Sequence, residues 1–374
     1  MNSQKFIYLL LVVIFITTGF LFLALNIFRP VFKNVVSSKL STINQDNKFD
    51  LGIAFPPFAN QEQIDFSLQH LKALNVTKIR LGETWALREP TKGNFNWGPL
   101  DQRVQAVIDN SLSLLLTIHV GAPNWACSEI KNDYTCVPKN KQDFRNYIRE
   151  LVQRYSNKID KIMFENEFES HWAGSKEDLV TFANILYEEV KKYSPETKVV
   201  MTSFTRGLLN NMLTCQDGLP HVRLNSLEQF SQDQIQDYCH GQFLKDLSDA
   251  KYIFKNIQYD HAALHLYDEV DKWDDYLNKF KTLTSKPVLI TEMGGPNLIV
   301  ESCQNCPHPY TDQYQSDQLK KYFEKLEAMD VKEVYYFKLV EGGQETTVQH
   351  QKSGLITKDL KTKPAYDTFK NYNN

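Results

Sequence analysis

Short apolar runs alternate with amphipathic segments along the chain from residue 50 to its end. Runs of this length, rich in branched and aromatic side chains, are typical of strands that are buried on both faces of a parallel sheet. We therefore predict eight strands, at residues 50–55, 78–82, 112–119, 159–165, 198–203, 261–266, 288–292 and 333–338.

The segments between these strands place apolar residues at helical spacing. They predict helices at residues 61–74, 100–110, 143–155, 176–192, 243–257, 273–283, 316–329 and 364–372. Repeated strand–helix units over about 320 residues favour an α/β fold of the closed (β/α)8 TIM-barrel type. An open doubly wound sheet is the main alternative, but it normally carries a glycine-rich phosphate loop after its first strand, and residues 52–57 lack one.

The N-terminus differs from the rest of the chain. Residues 6–28 carry no charge and are long enough for a helix that crosses a lipid bilayer. A cleaved signal peptide is the alternative, although no convincing small-x-small cleavage site follows. We predict a membrane anchor or signal peptide at residues 1–29, a polar stem at 30–48 and a catalytic domain at 49–374.

Charges and cysteines disagree about the side of the membrane on which the domain lies. Lys5 precedes the apolar segment whereas Arg29, Lys33 and Lys39 follow it, which favours a cytoplasmic domain. An even number of cysteines in loops favours an oxidising compartment, and we expect an extracytoplasmic domain, either anchored or secreted. The cysteines form three pairs that are close in sequence, Cys127 with Cys136, Cys215 with Cys239 and Cys303 with Cys306, although six cysteines allow other connectivities.

Composition sets broad limits on function. The 374 residues are 42% hydrophobic and include 42 basic and 45 acidic residues, for a net charge of -3. A large core is possible, and the charge balance gives no reason to expect a nucleic-acid partner.

Two glutamates stand at the ends of predicted strands. Glu167 follows Asn166 after the fourth strand, and Glu292 ends the seventh before a glycine turn. In a barrel these strand ends face each other across the top of the pore, where catalytic residues are found. A pair of carboxylates predicts cleavage of a glycosidic bond, with Glu167 as acid/base, its pKa raised by the second carboxylate, and Glu292 as nucleophile.

Other strand ends supply further candidate residues. Arg80, at the end of the second strand, is the expected cation that keeps Glu292 ionised. His119 and His265 end the third and sixth strands and are expected to line the same rim. A zinc site is disfavoured because His261 and His265 on one strand would lie roughly 13 Å apart. No cofactor or metal is expected.

Several motifs resemble the retaining glycoside hydrolases of clan A. The Asn166-Glu167 pair, Glu292 after an apolar strand, and the His-x-Tyr sequence ending at Tyr267 each match a motif of that clan. The resemblance implies that Tyr267 holds the nucleophile and that Asn166 contacts the sugar 2-hydroxyl. Two positions depart from the pattern: Phe168 replaces the usual proline, and residues 336–338 offer no tryptophan after the last strand.

Three tryptophans follow predicted strand ends by a few residues. The flat apolar face of a pyranose stacks on aromatic rings, so we expect Trp85, Trp125 and Trp172 to line a sugar cleft. Three long interruptions, at residues 120–140, 206–242 and 293–313, would border that cleft, and each contains one cysteine pair.

The sequence thus predicts a retaining glycoside hydrolase that cleaves β-linked oligo- or polysaccharides through a glycosyl–Glu292 intermediate. Two alternatives remain open. The first is a carbohydrate-binding barrel that no longer turns over, and the second is a metal-dependent hydrolase, which would need more histidine and aspartate ligands at the strand ends.

Overall fold

The computed structural model describes residues 49–132, 135–219, 231–296, 299–300, 303–307, 309–342 and 348–374. In chain order the strands are β1 (Asp50–Ala54), β2 (Lys78–Thr84), β3 (Ser113–His119), β4 (Cys127–Lys131), β5 (Cys136–Pro138), β6 (Lys161–Phe164), β7 (Lys198–Phe204), β8 (His261–Tyr267), β9 (Val288–Gly294), β10 (Ile299–Val300), β11 (Cys303–Pro307) and β12 (Glu333–Phe337).

Eight of these strands form a closed parallel barrel in the order β1-β12-β9-β8-β7-β6-β3-β2. Its closure rests on the pairing of β1 with both β12 and β2, so the sheet has no free edge. The eight predicted strands and the predicted (β/α)8 TIM barrel are therefore confirmed, and the open sheet is excluded. The remaining strands pair as two hairpins, β4 with β5 and β10 with β11.

Helices surround the barrel, and each predicted helix is found with bounds that differ by a few residues. The described helices are α1 (Gln61–Ala73), α2 (Trp85–Arg88), α3 (Gly98–Asp109), α4 (Lys141–Arg154), α5 (Phe168–His171), α6 (Lys176–Tyr193), α7 (Arg206–Asp217), α8 (Gln232–His240), α9 (Gln242–Asn256), α10 (Trp273–Lys281), α11 (Asp312–Ala328), α12 (Val348–Gln351) and α13 (Pro364–Asn373). Local signals set their starts: α6, for example, begins at a capping box in which Ser175 and Asp178 satisfy each other's backbone N–H groups.

The hydrophobic core has two parts. The larger part lies between the barrel and its helices, where α4 and α6 bury faces rich in aromatic and aliphatic residues. The smaller part fills the barrel interior with seven side chains, and Phe55 and Phe337 pack against it; the seven are Ala54, Leu115, Met163, Val200, Ala263, Leu289 and Tyr335. The barrel interior is thus solid, so polar chemistry is confined to its ends.

Disulfides reinforce two of the long loops. Cys127 and Cys136 join the two strands of the β4–β5 hairpin, and Cys215 on α7 joins Cys239 on α8. These two predicted pairs are confirmed. The side chains of Cys303 and Cys306 lie outside the part of the chain that the structure describes.

The predicted anchor and stem, residues 1–48, also lie outside the described residues. Within the described ranges, none of the helices combines the length and the hydropathy that a bilayer span requires.

Candidate active site

The carboxyl ends of four barrel strands bring the predicted polar residues together. Arg80 lies on β2, His265 and Tyr267 on β8, and Glu292 on β9, while Glu167 directly follows the turn after β6. Because the strands are parallel and closed into a ring, these side chains meet above the filled barrel interior.

Glu292 is almost completely buried and both of its carboxylate oxygens are hydrogen-bonded. Arg80 Nη1 donates to Oε1 over 2.6 Å, and the Tyr267 hydroxyl donates to Oε2 over 2.6 Å. Burial and the charge of Glu292 raise the pKa of Tyr267 well above its usual range, so the phenol stays protonated and remains a donor. A guanidinium and a hydroxyl together hold both oxygens of Glu292 in one orientation, as a nucleophile requires.

Arg80 has no exposed surface, and each of its three guanidinium nitrogens donates a hydrogen bond. Nε donates to Thr117 Oγ1 at 2.9 Å, Nη1 also donates to the Thr291 carbonyl at 3.1 Å, and Nη2 donates to Asn166 Oδ1 at 2.7 Å. The ring of Phe55 lies 4.6 Å from the guanidinium carbon. The arginine is therefore fixed in position, and it links the loop after β6 to the nucleophile on β9.

The carboxamide of Asn166 has one defined orientation. Its oxygen accepts from Arg80 and also from Ser203 Oγ at 3.1 Å, which leaves the NH2 group as the one that can donate to a ligand. Ser203 Oγ in turn accepts the backbone N–H of Glu167 at 2.8 Å. Ser203, at the end of β7, therefore orients both residues of the Asn-Glu pair.

Glu167 is half-buried and lies between two imidazoles. His265 Nδ1 is 2.8 Å from Oε1, and His171 Nε2 is 3.9 Å from Oε2. The tautomer of His265 with its proton on Nδ1 satisfies both of its contacts, since Nε2 then accepts from Arg80 at 3.4 Å. The backbone of Glu167 is left-handed, with φ 42°, a conformation that non-glycine residues adopt mainly where the surrounding structure holds them.

The pKa of Glu167 differs from the sequence-based expectation. Burial raises it, but the hydrogen bond that His265 donates and the proximity of His171 outweigh burial and lower the pKa to about 2. The sequence placed a second carboxylate near Glu167, which would raise the pKa, but it did not show that His265 and His171 would lie beside the same group.

The two carboxylates are close. One oxygen of Glu167, one oxygen of Glu292 and one nitrogen of His265 all lie within 4.8 Å of one another. Among the described residues, these three form the one group whose geometry suits a metal ion. Arg80 already places a positive charge beside Glu292, and His265 donates a hydrogen bond to Glu167. Each of the two carboxylates therefore has a protein side chain as its partner.

His119 lies on the same rim, at the end of β3, with its side chain 30% exposed. Its Nδ1 is 3.6 Å from Oε2 of Glu165, a buried carboxylate whose other oxygen accepts the backbone N–H of Val120. The exposed part of the His119 ring could contact a ligand from this position. The role of His119 in substrate binding stays a prediction.

The three tryptophans have different environments. Trp85 is completely buried, stacked on Tyr147 at 5.4 Å between ring centroids, so it has no face to offer a sugar and the prediction for it is wrong. Trp85 is the first residue of α2, and its ring points towards α4 and the core. Trp125 is half-buried, with its edge on Trp85 and the Lys92 amino group 5.4 Å above its ring.

Trp172 is also half-buried, and it borders a cavity whose lining includes neither Glu167 nor Glu292. Its ring borders a cavity of about 420 Å³ between α5, α6, α7 and α9, together with Phe168 and Phe204. Its Nε1 donates to the Ser175 carbonyl at 2.9 Å. Contact between Trp125 or Trp172 and a sugar remains a prediction.

Sequence reasoning missed several residues that shape the site. Ser203 and Thr117 are small polar residues in apolar strands, and only the inward direction of their side chains could have revealed them. Phe337 ends β12 where the clan usually has tryptophan, and its ring lies 6.3 Å from that of Tyr267. His350, on α12, packs against Tyr267 at 5.0 Å, and no periodic pattern marked it.

Comparison with known proteins extends these observations. Residues 211–364 match the family model described as the glycosyl hydrolase catalytic core. No curated protein sequence is significantly similar to this chain.

The fold is shared with several solved structures. A family 39 glycoside hydrolase from the gut symbiont Bacteroides cellulosilyticus WH2 aligns with a TM-score of 0.60 and 17% identity, over 86% of this chain and 63% of that chain. A GH5_18 protein from Streptomyces cattleya, solved in complex with GlcNAc, aligns with a TM-score of 0.60 and 12% identity, over 87% and 79% of the two chains. A GH10 protein from Paenibacillus barcinonensis aligns with a TM-score of 0.55 and 15% identity, over 86% and 94%.

These identities are low, so the structural likeness is one of fold, and this chain spans less than two thirds of the Bacteroides protein. The family match over residues 211–364 and the shared barrel together support a glycosidase.

Proposed function

We propose that the chain is a retaining glycosidase acting on β-linked glycans, since residues 211–364 match the glycosyl hydrolase catalytic core and the barrel is shared with solved glycoside hydrolases. The observation that carries the proposal is the separation of the two carboxylates. Oxygens of Glu167 and Glu292 lie within 4.8 Å, which fits the roughly 5–5.5 Å between carboxyl groups of retaining enzymes better than the roughly 6.5–9.5 Å of inverting ones.

In the first step, a carboxylate oxygen of Glu292 attacks the anomeric carbon of the sugar. The bond between that carbon and the leaving oxygen breaks, and the leaving oxygen takes a proton from Glu167. Since Oε1 of Glu167 already accepts from His265, Oε2 is the oxygen that carries the donated proton.

In the second step, water replaces the departed leaving group. Glu167, now a carboxylate, removes a proton from the water. At the same time the water oxygen bonds to the anomeric carbon, and the ester bond between that carbon and Glu292 breaks. Two displacements on the same carbon return the original configuration. The low pKa of Glu167 keeps it ionised in the free protein, whereas the first step needs its acid form, and a bound glycan would raise that pKa by excluding water.

The surrounding residues serve these two steps. Arg80 and Tyr267 hold the Glu292 carboxylate in a fixed position before attack. The Asn166 NH2 group donates to the sugar 2-hydroxyl, a contact that strengthens as positive charge develops on the ring. His265 orients Glu167.

The test is release of reducing sugar by the full-length protein from a panel of β-glucans, mannans, xylans and galactans, beside a Glu292→Gln variant. We expect release from at least one glycan and none from the variant. Proton NMR of the first product should show the β anomer before mutarotation, whereas an α anomer would contradict retention. Glycan binding without any release would instead favour a carbohydrate-binding barrel.

We also propose that the barrel lies outside the cytoplasmic membrane, anchored through residues 6–28. The two disulfides of the described residues support an oxidising compartment. Treatment of intact cells with a protease should remove the barrel from the membrane fraction. Recovery of the protein from the medium would instead indicate secretion, and protection from the protease would indicate a cytoplasmic domain.

A further inference from the structure

The β4–β5 hairpin, closed by its disulfide, is bonded to the turn that carries Glu167. Thr135, 3% exposed, lies one residue before Cys136. Its Oγ1 donates to the carbonyl of His171 at 3.0 Å and accepts the backbone N–H of Ala173 at 2.9 Å. One hydroxyl therefore caps the end of α5 as both a donor and an acceptor.

Two further contacts hold the hairpin against the same turn. Asn132 Nδ2 donates to the His171 carbonyl at 2.9 Å. Val137, on β5, packs so closely on Gly174 that a Cβ at that glycine would lie 2.8 Å from Val137 Cγ2. The hairpin and the segment after α5 therefore fit together without space for an added methyl group.

The turn that Thr135 caps starts at Glu167. The backbone N–H groups of Ser170 and His171 donate to the Glu167 carbonyl at 3.0 and 2.9 Å, so α5 is a single turn with Glu167 at one end and His171 at the other. A helix of one turn has little stability of its own, and its geometry depends on what holds its ends. Ser203 holds the first end and Thr135 the second.

We propose that Thr135 is a positioning residue for Glu167, which it holds at the reaction distance through α5. The proposal rests on the function proposed above, because it assigns Glu167 the role of acid/base. Without the hydroxyl, the Ala173 N–H loses its acceptor and the His171 carbonyl keeps only the Asn132 donor, and α5 shifts to recover the lost hydrogen bonds. A displacement of the acid by about 1 Å can cost about 100-fold in rate.

The leaving group separates positioning of the acid from a general loss of structure. The 2,4-dinitrophenolate group leaves its glycoside without taking a proton, whereas the phenol of a phenyl glycoside of the same sugar needs a proton from the acid in order to leave. A displaced Glu167 slows the phenyl substrate far more than the dinitrophenyl one. Partial unfolding lowers both rates by the same factor.

The experiment compares kcat/KM of Thr135→Val and Thr135→Ser on the two aryl glycosides, using the sugar that the glycan panel identifies. Valine keeps the shape of threonine without its hydroxyl, and serine keeps the hydroxyl. We expect Thr135→Val to lower the phenyl/dinitrophenyl rate ratio by about 10- to 100-fold and Thr135→Ser to leave it within about twofold of the wild type.

Equal losses on both substrates, or an unchanged ratio in Thr135→Val, would overturn the inference while leaving the glycosidase function intact. A wild-type protein inactive on every glycoside would overturn both. Should Thr135→Val fail to fold, Asn132→Ala removes the other hydrogen bond to the same carbonyl from an exposed site. It should lower the rate ratio in the same direction by a smaller factor, and an unchanged ratio would count against the proposal.

Discussion

Arg80 Nη2 donates to Asn166 Oδ1 over 2.7 Å, and this contact decides which end of the Asn166 carboxamide faces a substrate. Because the same guanidinium donates to Glu292 over 2.6 Å, one buried side chain sets the position of the nucleophile and of the neighbouring donor together. The relation between the two groups is rigid because Arg80 is fully buried and each of its three guanidinium nitrogens is hydrogen-bonded.

We predict that Asn166→Ala lowers kcat/KM by about 10- to 100-fold, since the variant loses a hydrogen bond to the sugar 2-hydroxyl that strengthens in the transition state. Asn166→Asp is the matched control, because it keeps an oxygen for Arg80 but removes the NH2 donor. Both variants should be slow on ordinary glycosides. On a 2-deoxy glycoside, which lacks the hydroxyl, neither should differ much from the wild type, and a full loss there would refute the assigned contact.

Tyr267→Phe should lower kcat with little change in KM. The variant removes one of the two hydrogen bonds to Glu292, and a hydrogen bond to a charged group contributes about 1.5–3 kcal/mol, or roughly 10- to 150-fold in rate. Stopped-flow release of dinitrophenol should show the loss in the first step. Tyr366 lies on α13, where its hydroxyl contacts His70 and neither carboxylate. Tyr366→Phe is therefore a control for loss of a tyrosine hydroxyl and should keep wild-type kcat.

The pKa of Glu167 should rise in His265→Leu. The hydrogen bond from His265 is the main cause that lowers this pKa to about 2, and burial, which raises it, remains in the variant. Carbon-13 NMR of glutamate side-chain carboxyls, with the signal assigned by its absence in Glu167→Gln, should show ionisation of Glu167 above pH 2 in the variant. A midpoint that stays near 2, or falls, would mean that His265 does not control this group.

The barrel could be predicted from the sequence because each of its strands is a separate apolar run and each large helix has its own periodic face. The bounds of α6, predicted as 176–192 and found as Lys176–Tyr193, show how far a capping signal and periodicity reach. Short elements such as α2 and α5 were missed because four residues carry no period. Their geometry is imposed by the loops that hold them, as Thr135 holds α5.

Within the site, residues at strand ends could be placed because a parallel barrel collects them on one rim. Orientation about a strand or turn could not be predicted, and that decided the outcome for Trp85, whose ring faces the core. It also hid Ser203, an inward serine in an apolar strand. The environment of Glu167 depends on His171, one turn further along a helix too short to be recognised.

Glu83 illustrates the same limit and supports a prediction on stability. It is the second-last residue of β2, a position typical of a rim carboxylate. However, it is 2% exposed and ion-paired with two arginines. Arg88 Nε donates to Oε1 at 2.8 Å and Arg103 Nη1 to Oε2 at 3.0 Å. Removal of the carboxylate would leave two guanidinium groups close together with little water around them.

We therefore expect Glu83→Leu to lower the free energy of unfolding by about 3–5 kcal/mol, the usual cost of removing one partner from a buried ion pair. Glu150→Leu, at an exposed position on α4, is the control and should change stability by less than about 0.5 kcal/mol. Urea denaturation monitored by tryptophan fluorescence measures both. The folded fraction of Glu83→Leu should keep its activity per molecule, since the arginine pair lies outside the contacts of Glu167 and Glu292. A stable variant with impaired substrate binding would instead place Glu83 in the substrate cleft.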